Sequence, residues 1–317
     1  EQELSRASFI GRAPRFEAGA DTMAGWKKKV PCWLNQDSHL ILSLCPGRLL
    51  MGVFDGHGRQ GHLVAERVRG LFAHFGATLL KEPGSQAGEA LRRCFALAQE
   101  GLVAAGLAES SGATAVVATI DVATGTVDVA HLGNSRLLVC SGMAESDPTF
   151  TTGDHAVEGD AERRILDSGG EVHEATISGV TARRLFLPGQ SEPGLSTARA
   201  LGNLQARSVG LSDEPSIHLG VRLPPGGIIV LASAGVWDKV SDGEVAEAAR
   251  RAAAANRREG TAKAVASAVV KKARSRWPEE GNGDVDDITS VVVLVAPALP
   301  APTCANGDLS GTLPRRK

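Results

Sequence analysis

Cysteine is scarce in this sequence, and its placement is uninformative for metal binding or cross-linking. The 317-residue chain has five cysteines, an odd and widely scattered set without the paired spacing of a metal motif. These are Cys32, Cys45, Cys94, Cys140 and Cys304. Such a set excludes a small disulfide framework and a zinc motif. We therefore expect a reducing compartment, cytoplasmic or nuclear.

Long apolar runs and an excess of one charge are also missing. No run approaches the roughly 20 apolar residues that a membrane helix needs, and the N-terminal segment lacks the apolar core of a signal peptide. Lys and Arg number 34 against 36 Asp and Glu, which gives a formal net charge of -2. Since no global field favours a polyanion, we expect neither nucleic acid nor a membrane as a partner, and we expect a monomer.

What the chain does contain is short apolar runs alternating with amphipathic segments. Residues 39–44 and 48–56 predict two strands joined by a turn, and residues 112–142 predict a meander of three strands. Residues 227–233 and 287–297 predict two more strands. No Gly-rich phosphate loop follows the early strands, so a nucleotide-binding fold is not indicated.

Helical spacing appears in two consecutive segments, residues 61–81 and 86–106. The predicted apolar stripes are Leu63, Val64, Val68, Leu71 and Phe72 in the first and Leu91, Phe95, Leu97 and Leu102 in the second. A shorter helix is predicted to end at Gly169 and Gly170. Another is predicted to begin with a capping box of Ser241 and Glu244, and residues 260–277 predict a further helix.

These elements predict a layered α+β fold, with two packed antiparallel sheets and helices outside. Residues 1–20 lack periodicity and predict a flexible leader. Residues 21–297 are expected to form one folded domain. Residues 298–317 are rich in proline and small residues and predict a disordered tail.

Acidic residues recur where predicted strands end or turn. They are Asp37, Asp55, Asp238, Asp284, Asp286 and Asp287, with Gly56 and His57 directly after Asp55. Carboxylates at strand ends, beside a glycine that lets backbone approach closely, suit hard cations such as magnesium or manganese. Each aspartate taken alone is equally typical of a turn or a helix cap.

Taken in order, these motifs match one family. The segments "MGVFDGHG", "VAHLGNSRLLV", "PGLSTARALGN", "LASAGVWDKVSDGEV" and "DDITSVVVLV" closely resemble the metal-dependent protein serine/threonine phosphatases of the 2C type. The match runs from about Gly25 to Val295 and is most similar to the plant and protist subgroup. The resemblance implies a four-layer α-β-β-α sandwich with a two-metal cleft at one end.

The resemblance also implies roles for individual residues. Two magnesium or manganese ions would hold a water that attacks the phosphorus of phosphoserine or phosphothreonine. Asp55 would bridge both ions, the Gly56 carbonyl would bind one, and Asp286 would bind the other. Asp37 would act through coordinated water, and Asp238 belongs to a third, weaker site.

Two further roles follow from the same match. His57 stands where the family has a general acid for the leaving alcohol, a task suited to imidazole. The family's phosphate-holding arginine has no unambiguous counterpart, and Lys27, Lys28 or Lys29 could replace it. A lysine there would hold phosphate as a point charge, without the bidentate fork of arginine. The other interpretation of these lysines is a solvated basic turn.

Three positions depart from the family pattern toward uncharged residues. Ala234 replaces an aspartate that is a direct metal ligand, Asn134 replaces an aspartate of the third site, and Asn203 replaces another common aspartate. Asp284 could substitute as a ligand, whereas we interpret Asp287 as stabilising a turn. The sequence therefore predicts either a phosphatase with impaired metal binding or an inactive pseudophosphatase that binds a phosphoprotein partner.

Overall fold

The computed structural model describes residues 16–30, 32–81, 86–142, 148–177, 179–224, 226–256, 260–279 and 283–295. The predicted disordered tail, residues 298–317, lies outside these residues, as do residues 1–15 of the predicted leader. None of the helices in the described ranges is long and apolar enough to cross a membrane.

Strands supply the two central layers of the described chain. In chain order they are β1 Phe16–Met23, β2 Asp37–Cys45, β3 Arg48–His57, β4 Gly112–Asp121, β5 Thr126–Leu132, β6 Arg136–Cys140, β7 Phe150–Thr151, β8 Glu171–Ile177, β9 Val180–Phe186, β10 Pro193–Leu195, β11 Leu201–Gly202, β12 Ser216–Arg222, β13 Ile228–Ala232 and β14 Ile288–Val295. The helices are α1 Gly61–Leu79, α2 Ala87–Ala104, α3 Gly159–Asp167, α4 Leu204–Arg207, α5 Ala234–Trp237, α6 Asp242–Ala255 and α7 Thr261–Arg274.

The strands form two large antiparallel sheets and one small one. The six-stranded sheet has the order β12-β5-β4-β3-β2, with β11 added beside β4. The five-stranded sheet has the order β1-β14-β13-β6-β7. A separate three-stranded sheet, β10-β9-β8, lies between α3 and β11 in the sequence. The predicted α-β-β-α sandwich of two antiparallel sheets is thus confirmed.

Burial on both faces explains why β3 is apolar almost throughout. Leu50 and Phe54 point toward the helical layer of α1 and α2, while Met51 and Val53 point toward the second sheet. This alternation follows the two-residue period of a strand. On the far side, α6 and α7 cover the five-stranded sheet, which completes the four layers.

The beginning of the domain differs from the sequence prediction. Residues 16–20, assigned to a flexible leader, form the first part of β1 and pair with β14 from Phe16↔Val295 onward. The segment has little apolar periodicity, because small residues such as Gly19 are required there: a Cβ at Gly19 would lie 2.4 Å from the Lys263 backbone nitrogen of α7. Close packing of Gly19 against α7 places this edge strand, together with the packing of Phe16, Ala18 and Ala20 against the core between the sheets.

The predicted three-strand meander is also wrong in its last member. β4 and β5 pair as expected, but β6 crosses to the five-stranded sheet and pairs with β13 and β7. The crossing begins at Gly133, whose φ of 92° turns the chain out of the first sheet. Sequence periodicity identified the strand and could not assign its partner.

The helix predictions agree with the structure at most positions. Gly169 and Gly170 end α3 as a Schellman motif, donating to the Leu166 and Ile165 carbonyls. The capping box at Ser241 is present. Leu63, predicted on the buried stripe of α1, is instead 45 % exposed.

Three phenylalanines form the centre of the first helical layer, and they generate a stability prediction. The Phe72 ring lies 5.5 Å from Phe54 and 4.9 Å from Phe95, centroid to centroid. Phe72→Ala should lower the free energy of unfolding by about 3–5 kcal/mol, because it leaves a cavity in a close-packed core. Leu63→Ala, on the exposed side of the same helix, should cost less than about 1 kcal/mol. Urea unfolding of both variants checks this, and equal losses would contradict the core assignment.

Candidate metal centre

Several strand ends meet at one edge of the sandwich and bring carboxylates together. Asp37 begins β2 and is the direct antiparallel partner of Asp55 near the end of β3. In the opposite sheet, Asp286 lies just before β14, and Asp238 follows the short helix after β13. Asp286 acts electrostatically on Asp37, Asp55 and Asp238. We call these four residues the acidic edge.

Asp37 is oriented by the Ser233 hydroxyl. Its Oδ2 accepts a hydrogen bond of 2.7 Å from the Ser233 hydroxyl, which itself accepts from the Thr289 N–H at 2.9 Å. Within the described residues, its buried Oδ1 makes no hydrogen bond. Burial, with a smaller contribution from the charge of Asp287, raises the pKa of Asp37 to about 8.

Asp55 is held by the backbone of the residue that departs from the family pattern. Its Oδ2 accepts the Ala234 N–H at 3.0 Å. Burial and the neighbouring Asp37 raise the pKa of Asp55 well above its usual value. Asp37 and Asp55 are half-buried and adjacent, and each disfavours ionisation of the other. A bound cation would stabilise the ionised form of both.

Lys27 supplies positive charge at the other side of the acidic edge. Its Nζ lies 2.9 Å from Asp286 Oδ1 and 5.3 Å from the centre of the Trp33 ring. The Lys28 side chain is exposed and only its backbone N–H bonds Asp284, while Lys29 is exposed. Of the three candidate lysines, Lys27 is the one whose ammonium reaches a predicted metal ligand.

Asp238 lies at the solvent side of the acidic edge. The residue as a whole is exposed. Desolvation of its carboxyl group by the surrounding protein, followed by the charge of Asp286, raises the pKa of Asp238 to about 7. Asn134, predicted as a degenerate position, lies in the β5–β6 turn at the same end of the sandwich. The adjacent Ser135 hydroxyl lies 2.6 Å from that of Thr114, which is the strand partner of Asp55.

Asp287 stabilises a turn, in agreement with the sequence interpretation. Its carboxylate accepts the Gly25 N–H at 2.6 Å, the Trp33 indole N–H at 3.0 Å and the Gln36 N–H at 2.8 Å. It is 4 % exposed. These bonds occupy both oxygens and tie the β1–β2 connection to the start of β14.

His57 lies beside the acidic edge, at the end of β3. Burial lowers its pKa to about 4, so the imidazole is neutral at pH 7. The side chain of Asn203 is hydrogen bonded to its Nε2. Sequence reasoning identified His57 but missed this contact, and it also missed Ser233, whose position beside Ala234 was the available signal.

The donors at the acidic edge are carboxylate and backbone oxygens, the chemical type that a hard cation takes together with water. In the part of the chain that the structure describes, Asp37 keeps a buried oxygen without a hydrogen-bond partner. The backbone at Gly56 is tightly enclosed, since a Cβ there would lie 2.2 Å from the Gly61 carbonyl oxygen. Among the residues described, no three acidic, histidine or cysteine side chains surround a common point. The Ala234 N–H and the Lys27 ammonium hold two of the carboxylates instead.

Comparison with known proteins finds relatives over most of this chain. The sequence profile described as "Protein phosphatase 2C" matches residues 17–280. This chain belongs to the protein phosphatase 2C family. "Probable protein phosphatase 2C 61" of Arabidopsis thaliana is 31 % identical over 302 residues, covering 89 % of this chain and 85 % of that protein. "Probable protein phosphatase 1N" of Homo sapiens is 30 % identical, covering 72 % of this chain and 51 % of that protein.

Solved structures share the fold at lower identity. The serine-threonine phosphatase 2C from Toxoplasma gondii superposes with a TM-score of 0.68 at 24 % identity, covering 90 % of this chain and 98 % of that one. The catalytic domain of the phosphatase PstP, solved with 2 manganese ions, gives a TM-score of 0.55 at 20 % identity, covering 89 % and 98 %. The phosphatase 2C architecture is therefore retained throughout the described domain.

The three donors that bond Asp287 predict a large structural cost for removing it. Asp287→Ala should lower the free energy of unfolding by about 2–4 kcal/mol, because each buried donor left without a partner costs about 1–3 kcal/mol. Asp284→Ala, in the same turn, loses an exposed bond to the Lys28 backbone and should cost under about 1 kcal/mol. Thermal and urea unfolding measure both, and similar losses would argue against a special role for Asp287.

Proposed function

We propose that this phosphatase 2C family member hydrolyses phosphoserine and phosphothreonine in proteins, with one of two metal positions weakened. The observation that carries the proposal is the pairing of Asp37 with Asp55 at the sheet edge, directly beside Ala234. Paired carboxylates of this kind hold a cation, whereas a methyl group at position 234 adds no oxygen donor.

Asp55, the Gly56 carbonyl, Asp37 and Asp286 would hold Mg²⁺ or Mn²⁺. Such an ion supplies Lewis-acid activation of water and neutralises charge on phosphoryl oxygens. The chain itself contributes a rigid arrangement, because Ser233 and the Ala234 N–H orient the two paired carboxylates. We also propose Asp238 as a ligand of a weaker, outer position.

Position 234 decides how complete the centre is. Ala234 is 6 % exposed, and its N–H lies 3.0 Å from Asp55 Oδ2. A carboxylate on this residue would lie next to Asp55. Without it, the metal position at Asp286 lacks one anionic ligand. Because a hard cation is held by negatively charged oxygens, this loss lowers the metal affinity of that position.

Lys27 and His57 are proposed to act on the substrate. Lys27 has an ammonium at the acidic edge, where it can attract a phosphate as a point charge. His57 follows Asp55 by two residues at the end of β3, and we propose that it donates to the leaving oxygen of the phosphoester. Both side chains can contact the substrate only if its phosphoryl group binds at the acidic edge.

A second candidate function is supported by the Lys27–Asp286 ion pair. This pair places a built-in cation on a predicted metal ligand, and Ala234 removes another ligand. A chain so altered could retain phosphoprotein binding without turnover, as a pseudophosphatase. Activity on a phosphothreonine peptide separates the two functions.

Restoring the missing carboxylate is the most informative change. Ala234→Asp should raise manganese binding from one ion to two and raise turnover of a phosphothreonine peptide at least about tenfold, since two-metal activation lowers the barrier most. Ala234→Asn, equal in size but uncharged, is the matched control and should restore neither. Calorimetry and initial rates in millimolar manganese measure the two effects.

Three outcomes would change the interpretation. A variant that binds no second ion and gains no activity contradicts the incomplete-site account. A wild-type protein that is already as fast as Ala234→Asp shows that residue 234 does not limit catalysis. Turnover absent from both proteins, with phosphopeptide binding retained, establishes the pseudophosphatase function.

Lys27 yields a prediction with two opposite signs. Lys27→Met should raise the KM for phosphopeptide, because a phosphate-attracting charge is lost, and should tighten manganese binding, because Asp286 is released from its ion pair. Lys29→Met, an exposed lysine of the same turn, should change neither. Unchanged KM and unchanged metal affinity in Lys27→Met would leave Lys27 as a structural residue only.

A further inference from the structure

Asn203 has a left-handed backbone conformation, which asparagine adopts more readily than most other non-glycine residues. It follows the two-residue strand β11 with a φ of 48°, in the left-handed region, and it is 1 % exposed. Non-glycine residues in this region cost energy and persist where the surroundings determine them.

The surroundings hold Asn203 from two sides. Its N–H donates to the Ser111 carbonyl at 2.9 Å, just before β4. The preceding Gly202 N–H donates at 2.7 Å to Oε1 of Gln99, a buried side chain of α2. Helix α2 and strand β4 thus both fix the position from which the Asn203 side chain projects.

That side chain projects toward His57 across a glycine. Gly112 is the strand partner of His57 in β3–β4 and of Gly202 in β4–β11. A Cβ at Gly112 would lie 2.5 Å from Asn203 Nδ2 and 2.7 Å from His57 Nε2. Any larger residue at 112 would separate the two side chains, so this glycine makes room for their contact.

The contact defines the two ring nitrogens of His57. Asn203 Nδ2 contacts His57 Nε2. Because an amide nitrogen can only donate, Nε2 carries the lone pair and Nδ1 carries the proton of the neutral ring. Within the described part of the chain, Nδ1 makes no hydrogen bond to protein, and His57 is half-buried. Nδ1–H is therefore the donor left for a ligand.

We propose that Asn203 is a positioning residue that holds His57 by Nε2 and thereby presents Nδ1–H as the hydrogen-bond donor to the leaving oxygen of the phosphoester. The proposed donation to the leaving oxygen rests on the function proposed above. The orientation of the ring does not, because it follows from contacts within the protein. An aspartate at this position, which only accepts, would select the opposite tautomer with the proton on Nε2.

The tautomer can be measured without activity. Long-range ¹H–¹⁵N spectra of histidine-labelled protein at pH 8, with His57 assigned by its loss in His57→Gln, should show Nδ1 protonated in the wild type. Asn203→Ala should release the Nε2–H form, and Asn203→Asp should shift His57 fully to it. Gln205→Ala, an exposed amide nearby, should leave the spectrum unchanged. A wild-type ring protonated on Nε2, or a tautomer unaltered by Asn203→Ala, overturns the proposal.

A leaving-group comparison tests the catalytic consequence. Asn203→Ala should lower kcat about tenfold on a phosphothreonine peptide, whose alkoxide needs a hydrogen-bond donor. KM and the rate on p-nitrophenyl phosphate, whose leaving group needs none, should change little. Equal losses on both substrates would mean general damage and contradict a positioning role. A wild type inactive on both substrates refutes the proposed function, while the spectra still decide whether Asn203 sets the orientation of His57.

Discussion

The antiparallel pairing of Asp37 with Asp55 places two carboxylates side by side at the end of a sheet, partly removed from water. Like charges so placed raise each other's pKa unless positive charge or hydrogen-bond donors offset them. The surrounding structure supplies donors for this purpose: a hydroxyl from Ser233 and an N–H from Ala234. These donors leave the negative charge uncompensated, and Asp37 Oδ1 has no hydrogen-bond partner among the described residues. A divalent cation would supply the missing positive charge.

The sandwich makes this arrangement possible by ending both sheets at one edge. Ser233 is bonded through its N–H and its hydroxyl to Thr289 of β14, so the hydroxyl that donates to Asp37 is anchored to the opposite sheet. Asp287 ties the same strand to the β1–β2 connection. Movement of one sheet against the other would break both sets of bonds, and the site therefore depends on the packing between the sheets.

Sequence reasoning succeeded where the information is local. Asp55, Gly56 and His57 are consecutive, and the alanine at 234 is recognisable from its neighbours. Sequence reasoning failed where a feature depends on pairing between segments that are distant in the chain. Periodicity could not show that β6 joins the second sheet, and small residues hid β1, which is placed by close packing.

Sequence reasoning also could not choose among the three lysines or predict the bond between Asn203 and His57. Each depends on which side chains meet after folding: Lys27 alone of its turn reaches Asp286, and Asn203 reaches His57 only because residue 112 lacks a side chain. Both contacts join residues more than 100 positions apart in the chain. The polar residues that orient a site are thus harder to predict than the residues that form it.

Anomalous diffraction from crystals of the wild-type protein soaked in manganese tests the central claim most directly. The account predicts a single strong peak beside the Asp55 carboxylate and the Gly56 carbonyl, where the paired aspartates need a cation, and no comparable peak between Ala234 and Asp286. Two peaks of similar height would show that the alanine leaves the centre complete. Peaks only elsewhere in the molecule would show that the acidic edge is not a metal centre.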